Sequence, residues 1–173
     1  MQADKLVAET SRLIISRLDE SDYSFILELV NSPSWLKYIG NRNIKTKSAA
    51  KKYITDGPVK SYSEYDFGLY KLTLKESGKD IGVCGLIKRE ELDLPDLGYA
   101  LLEGFHGYGY VTESAELMLH RARKNHKMDK LLAIVSKRNV KSIAVLEKLG
   151  FVYQHNRSSK IDEDNQIYMK TFV

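Results

Sequence analysis

The residues best placed to do chemistry lie between Asp96 and Ala115, in the stretch DLGYALLEGFHGYGYVTESA. An apolar segment, Leu97–Leu102, is bounded by Pro95 before it and Glu103-Gly104 after it, the pattern of a buried strand. Gly107 and Gly109 follow. Then Val111, Ala115, Met118, Leu119 and Ala122 recur at the spacings of one helical face. Strand, glycine turn and helix together aim several unpaired backbone N–H groups at one point, beside the positive end of the helix dipole. Such a point binds a phosphate or pyrophosphate. Glu113 and Glu116 near the helix start, with Arg121, Arg123 and Lys124 near its end, match that dipole. A helix turns about 100° per residue, so the acids can point away from a bound anion.

A loop of this kind needs a scaffold, and the chain is long enough to build one. Its 173 residues, 43% of them hydrophobic, suit a single compact domain over 1–173. The first ten residues carry Asp4 and Glu9 and no long apolar run, so no secretory signal is expected. No segment approaches the ~20 apolar residues of a membrane span. A lone Cys84 excludes an internal disulfide and fits a reducing cytoplasm. The net charge of +4 is spread along the chain, without a basic block or an RNA-binding signature, so neither nucleic acid nor membrane is expected as a partner.

In chain order, Arg12–Leu18 has strand character, and Asp19 or Ser21 then offers an N-cap. Phe25, Ile26, Leu29 and Val30 share one helical face. Pro33 opens a short helix over Ser34–Ile39. Thr46 caps another, with Ala49, Ala50, Tyr53 and Ile54 inward and Gly57-Pro58 as its stop. These helices form a wall before the main sheet. Phe67–Leu74 and Asp80–Lys88 make a hairpin about Glu76-Ser77-Gly78-Lys79. After the central strand, loop and helix come a strand at Leu131–Val135 and a helix at Asn139–Leu149, stopped by Gly150. Ile143, Leu146 and Leu149 face inward on that helix. Phe151–His155 and Gln166–Phe172 form a last antiparallel pair around the polar turn Ser158–Asn165. The fold class is therefore α+β, a mixed but mostly antiparallel central sheet flanked by helices.

This order of elements resembles the GNAT superfamily of N-acetyltransferases, and three local features carry the resemblance. The loop His106-Gly107-Tyr108-Gly109-Tyr110-Val111 resembles the superfamily's pyrophosphate motif, Gln/Arg-x-x-Gly-x-Gly/Ala. Gly109-Tyr110-Val111-Thr112-Glu113 resembles the GYATE string of its ribosomal-protein N-terminal acetyltransferase branch. Asn139-Val140-Lys141-Ser142, with Leu146-Glu147-Lys148-Leu149-Gly150-Phe151, resembles that branch's N-x-x-S followed by LEKLGF. The similarity runs from about Arg12 to the C-terminus. His106 stands where the motif has Gln or Arg, and Val111 where it has a small residue. A main-chain site tolerates both, because any non-proline residue supplies an N–H.

The resemblance implies acetyl-CoA as donor and an amine as acceptor, on a small molecule or a protein N-terminus, with no metal. It places the diphosphate on residues 106–112, that is His106, Gly107, Tyr108, Gly109, Tyr110, Val111 and Thr112. It places the pantetheine arm along the edge of Gly98–Leu102, where Ala100, Leu101 and Leu102 would meet it and a main-chain N–H near Ala100 or Leu101 would hold the oxyanion. That strand and the one at Leu131–Val135 are expected to splay apart. Asn139 is a candidate for the pantetheine carbonyl or the acceptor, and equally a helix cap. Many relatives have a tyrosine acid four residues before the Gly-Phe pair; that position is Leu146 here, so Ser142 is the general-acid candidate. Asp96, at the start of the central strand, is the base candidate, and also a turn residue after Pro95.

A base is needed only for a protonated amine. A lysine of pKa ~10.4 costs roughly 4 kcal/mol to neutralise at about pH 7.4, whereas an α-amine near ~7.8 is already about a quarter neutral. The competing reading is a catalytically silent acyl-CoA-binding module, a sensor or partner subunit, which the missing tyrosine favours. Cys84 reads as a small core residue, and Trp35 and Tyr38 as core aromatics or walls of an acceptor mouth. Arg138 and Lys141 can reach CoA phosphates, although solvated side chains are their default reading. The histidines have no metal-ligand spacing. The C-terminal hairpin has edges that can pair two chains into a homodimer, though no pattern demands it.

Overall fold

The computed structural model describes residues 5–155 and 161–173. A mixed sheet of eight strands runs in the order β1-β2-β3-β4-β5-β6-β8-β7. The strands are β1 (Leu6–Glu9), β2 (Leu13–Arg17), β3 (Leu69–Leu74), β4 (Asp80–Ile87), β5 (Asp96–Leu101), β6 (Lys130–Ser136), β7 (Val152–Gln154) and β8 (Asn165–Thr171). Every neighbouring pair is antiparallel except β5 and β6. β1 is short, half exposed and on an edge, so its alternation leaves almost no pattern in the sequence. The C-terminal pair forms as expected; the start of the turn at Ser158–Asn165 lies outside the described residues.

Each face of the sheet buries its own cluster. On one face Leu97 and Leu101 of β5 meet Met118 and Leu119 of α5 (Tyr110–Lys124) and Leu146 of α6 (Val140–Lys148). On the other, Ala100 and Leu102 meet Ile26 of α1 (Tyr23–Val30), Trp35 of α2 (Pro33–Tyr38) and Ile54 of α3 (Lys47–Ile54). The alternation of β5 thus aims odd residues at one helical layer and even residues at the other. Each fully buried aliphatic side chain contributes on the order of 1.5–3 kcal/mol.

Local chemistry sets most boundaries. Asp19 closes a capping box over the short turn Glu20–Asp22, Pro33 occupies the first turn of α2, and the Thr46 hydroxyl accepts from Ala49 N–H at 3.1 Å. The Gly57-Pro58 stop is a correction. The chain widens into a π turn over Thr55–Val59 and continues as α4 (Lys60–Tyr65). A wider turn relieves the clash between the proline ring and the preceding carbonyls and tolerates its missing N–H. Pro58 is buried, and α4 is anchored by Tyr62, whose ring stacks on Tyr70 with centroids 5.3 Å apart. The helical run ends at Asp66, in the left-handed region with φ 58°.

Candidate active site

β5 leads into the loop 102–109, and α5 begins there without a cap. Gly107 and Gly109 both adopt left-handed backbone, at φ 85° and 83°, and Gly109 occupies the N-cap position with no side-chain acceptor. The first helical bond is donated by Glu113 N to Gly109 O at 3.0 Å. Among the described residues, the N–H groups from His106 to Thr112 donate to no protein acceptor in this turn. An uncapped helix start of this kind favours an anion. His106, Gly107, Gly109, Tyr110, Val111 and Thr112 line a cleft of about 1530 Å³. Tyr108 does not line it; the residue is 62% exposed.

Arg12, just before β2, holds the turn from behind. Its Nη1 donates to Tyr108 O at 2.9 Å and its Nε to Glu113 Oε2 at 2.6 Å, and its guanidinium lies 4.5 Å from the Tyr110 ring centroid. Glu113 also accepts from the Thr10 and Ser11 hydroxyls and from Arg12 N. Burial would raise the Glu113 carboxyl, but these hydrogen bonds outweigh it and hold the group below the usual range. The acid beside the anion site therefore points away from it and serves the loop as an anchor. Sequence reading missed Arg12, whose only signal is its position opposite the GYVTE helix start.

β5 and β6 pair at Asp96 and Leu132 only, with Leu132 N donating to Pro95 O at 3.0 Å, and then diverge. Strand parity decides which N–H groups enter the gap. Leu102 N donates to Ile81 O of β4 at 2.8 Å, and backbone groups alternate sides along a strand, so Ala100 N–H also faces β4. Tyr99 and Leu101 present theirs to the gap. Ala100 and Leu102, expected as main-chain partners of the pantetheine arm, thus turn their N–H groups to β4, whereas Leu101 turns its N–H to the gap; all the same, Ala100 lines the cleft.

Across the gap, Asn139 caps α6, its Oδ1 accepting from Ser142 N at 3.2 Å, and its amide nitrogen stays uncommitted among the described residues. Ser142 Oγ lies 2.8 Å from Tyr99 Oη, a contact in which either hydroxyl can donate, and Ser142 O lies 3.3 Å from the same phenol, whose single proton can serve either oxygen. Burial pushes the Tyr99 phenol up to about 12, against the lowering effect of Ser142. Tyr99 was also missed, because only its inward parity on β5 brings it to α6.

Asp96 is 1% exposed and ion-paired: Arg89 Nε meets its Oδ1 at 2.8 Å and Nη2 its Oδ2 at 3.3 Å. Burial raises its carboxyl pKa and Arg89 opposes this. It is the first residue of β5, not a turn residue. Trp35 is 5% exposed, and its Nε1 is the buried side-chain nitrogen without a hydrogen-bond partner among the described residues. Both Trp35 and Tyr38 line the cleft. Burial pushes the Cys84 thiol up to about 12, as suits a core residue. Arg138 and Lys141 are exposed at the cleft edge and make no ion pair among the described residues. The described residues hold no group of three or more His, Cys, Asp or Glu side chains suited to a metal, and no helix long and apolar enough to cross a membrane.

A splayed β5–β6 pair facing an uncapped helix start is the arrangement that the resemblance to the GNAT superfamily implies. The model of the GNAT acetyltransferase domain matches residues 12–152, and the chain belongs to that family. A Bacillus subtilis protein, YkkB, is 24% identical over 147 residues, 83% of this chain and 84% of its own. The solved structure of an acetyltransferase from Agrobacterium tumefaciens superposes with a TM-score of 0.81 at 23% identity, over 95% of this chain and 94% of that one. A ribosomal L7/L12 alpha-N-protein acetyltransferase, RimL, in complex with coenzyme A superposes at 0.79 and 19% identity, over 96% of this chain and 98% of that one.

Proposed function

We propose that the chain transfers an acetyl group from acetyl-CoA to a primary amine by direct attack on the thioester. The observation that carries this reading is the set of unspent N–H groups from His106 to Thr112, opened toward a gap into which Leu101 N–H points. The loop amides and the helix dipole bind the diphosphate, and Arg138 and Lys141 add charge at the rim. The Asn139 amide nitrogen donates to a carbonyl of the pantetheine arm, whose amides pair with the free edge of β5.

The thioester carbonyl then lies in the gap. Leu101 N–H donates to the oxyanion that forms as the amine attacks, with no reorganisation required of a strand backbone. Ser142 donates to the departing sulfur. With the Tyr99 proton turned to Ser142 Oγ in place of Ser142 O, the serine's own hydrogen is free for the thiolate. The proton on Tyr99 stays in place throughout the working range, because its pKa is about 12. Asp96 is closed off by Arg89, an arrangement that suits holding Arg89 and leaves the amine to arrive neutral or lose its proton to water.

Titration calorimetry with coenzyme A, followed by thiol release from acetyl-CoA across a panel of amines, tests the reading. Binding with amine-dependent release is expected. Binding without release on any amine would establish the silent module instead.

A further inference from the structure

The wall of the cleft opposite α5 carries donors with nothing to donate to. Tyr53 of α3 lines it, half-buried, and among the described residues its hydroxyl has no hydrogen-bond partner. Arg42 and Arg89 line the same cleft, and their charges oppose the rise that burial gives the Tyr53 phenol. Arg42 also lines the cleft and has no carboxylate partner among the described residues. Arg89 spends Nε and Nη2 on Asp96 and keeps Nη1 uncommitted. Trp35, on the same wall, has its unpartnered Nε1–H.

The acids of the cleft are mostly engaged. Asp56 holds Lys52, Glu64 lies 3.7 Å from Lys60, and Glu103 accepts from Ser34 N–H at 2.9 Å. Glu90 and Glu91 remain, both exposed. The unspent capacity of the inner wall is therefore donor capacity, centred on two arginines. Two arginines lining one cleft with a half-buried, unpartnered hydroxyl suit a planar or tetrahedral oxyanion group.

We propose that the acceptor amine carries an anionic group, a carboxylate or a phosphate, bound by Arg42, Arg89 and the Tyr53 hydroxyl. This deepens the acetyl-transfer reading and rests on it for the word acceptor, but the binding site itself is independent of turnover. A lysine side chain or a polyamine lacks such a group; an amino acid, a peptide C-terminus near its amine, or a phosphorylated amine has one.

The test is equilibrium binding to the protein saturated with coenzyme A, using matched probes. L-Phenylalanine against L-phenylalaninamide reads the carboxylate, and O-phosphoethanolamine against ethanolamine reads the phosphate. At least one anionic member should bind about tenfold tighter than its neutral partner, as a charge-assisted bond supplies. Arg42→Gln should erase that preference; Arg42 is exposed, so the variant is expected to fold, and an unchanged melting curve confirms it. Tyr53→Phe should weaken the same probe by a smaller factor. Equal affinity within both pairs, or binding of neither, overturns the proposal. Thiol release on charged and neutral amines alike would overturn it while leaving acetyl transfer standing. Selective, Arg42-dependent binding without thiol release would support the anion site and sink the enzymatic reading.

Discussion

Tyr99 Oη lies 2.8 Å from Ser142 Oγ, tying the strand that borders the cleft gap to the helix on its far side. If Tyr99 acts by orienting the serine hydroxyl toward the sulfur, the ionisation of coenzyme A itself reports it. The bound thiol should have a pKa about one unit higher in Ser142→Ala, and higher by a similar amount in Tyr99→Phe, since a net hydrogen bond is worth about 0.5–1.5 kcal/mol. The double variant should be no worse than Ser142→Ala, because the phenol works through the serine. Thiolate absorbance measures all of these without an acceptor. Additive shifts would mean that Tyr99 acts independently of Ser142, and no shift in Tyr99→Phe that it only packs.

Arg12 and Glu113 lie outside the cleft yet fix the turn that lines it. Glu113→Gln weakens four charge-assisted contacts, and Arg12→Ala removes the bond to Tyr108 O. Either variant should raise the Kd for coenzyme A about tenfold with little effect on kcat, the signature of a loop that binds both ground and transition states. An unchanged Kd would show that the turn keeps its shape unaided.

The same carboxylate gives a pH dependence with a defined sign. Its folded pKa is lowered, so its stabilisation is complete above the unfolded value of about 4.3 and is lost as pH falls through the folded value. The stability gap between the parent protein and Glu113→Gln should therefore shrink from about pH 6 to about pH 3 in urea titrations. A gap that is constant over that window would place the carboxylate's contribution in packing alone.

Much of this was legible in the sequence because periodicity and punctuation carry it. The glycine turn, the α5 face at Ala115 and Met118, the Thr46 cap and the β3–β4 hairpin all follow from local patterns. What stayed hidden depends on three dimensions. Strand parity, which sends Leu101 N–H into the gap and Ala100 N–H to β4, needs the register of β5 against β4. Arg12 on Tyr108, and Tyr99 on Ser142, join residues far apart in the chain. The Gly57-Pro58 stop failed because tertiary packing of Pro58 and Tyr62 overrides a breaker signal.

Asp96→Asn separates two roles for that carboxylate. If it holds Arg89, the variant leaves a guanidinium without its counter-ion and should lose about 2 kcal/mol, less than the 3–5 of a wholly buried pair because Arg89 is one-third exposed. The amine KM should then rise while the affinity for coenzyme A stays the same. If it is a general base, kcat should fall and the acidic limb of the pH–rate profile disappear, with the amine KM unmoved. Denaturant titration and steady-state kinetics on one preparation distinguish the two.

Gly109 and Gly57 offer a paired test of what the uncapped helix start requires. Gly109 sits at φ 83°, and a Cβ there would stand 3.4 Å from an Arg12 guanidinium nitrogen, close to the group that holds the turn. Gly57, in the π turn, lies outside the left-handed region and has nothing within 4 Å of an added Cβ. Gly109→Ala should cost about 1 kcal/mol in backbone strain and weaken coenzyme A binding about tenfold, because leaving the left-handed region swings the 109–110 peptide out of the anion site. Gly57→Ala should instead stabilise the fold by about 0.4–1 kcal/mol and leave binding alone. Calorimetry on both variants checks this. Equal affinity for coenzyme A in the two would mean that the amides of this turn do not hold the diphosphate.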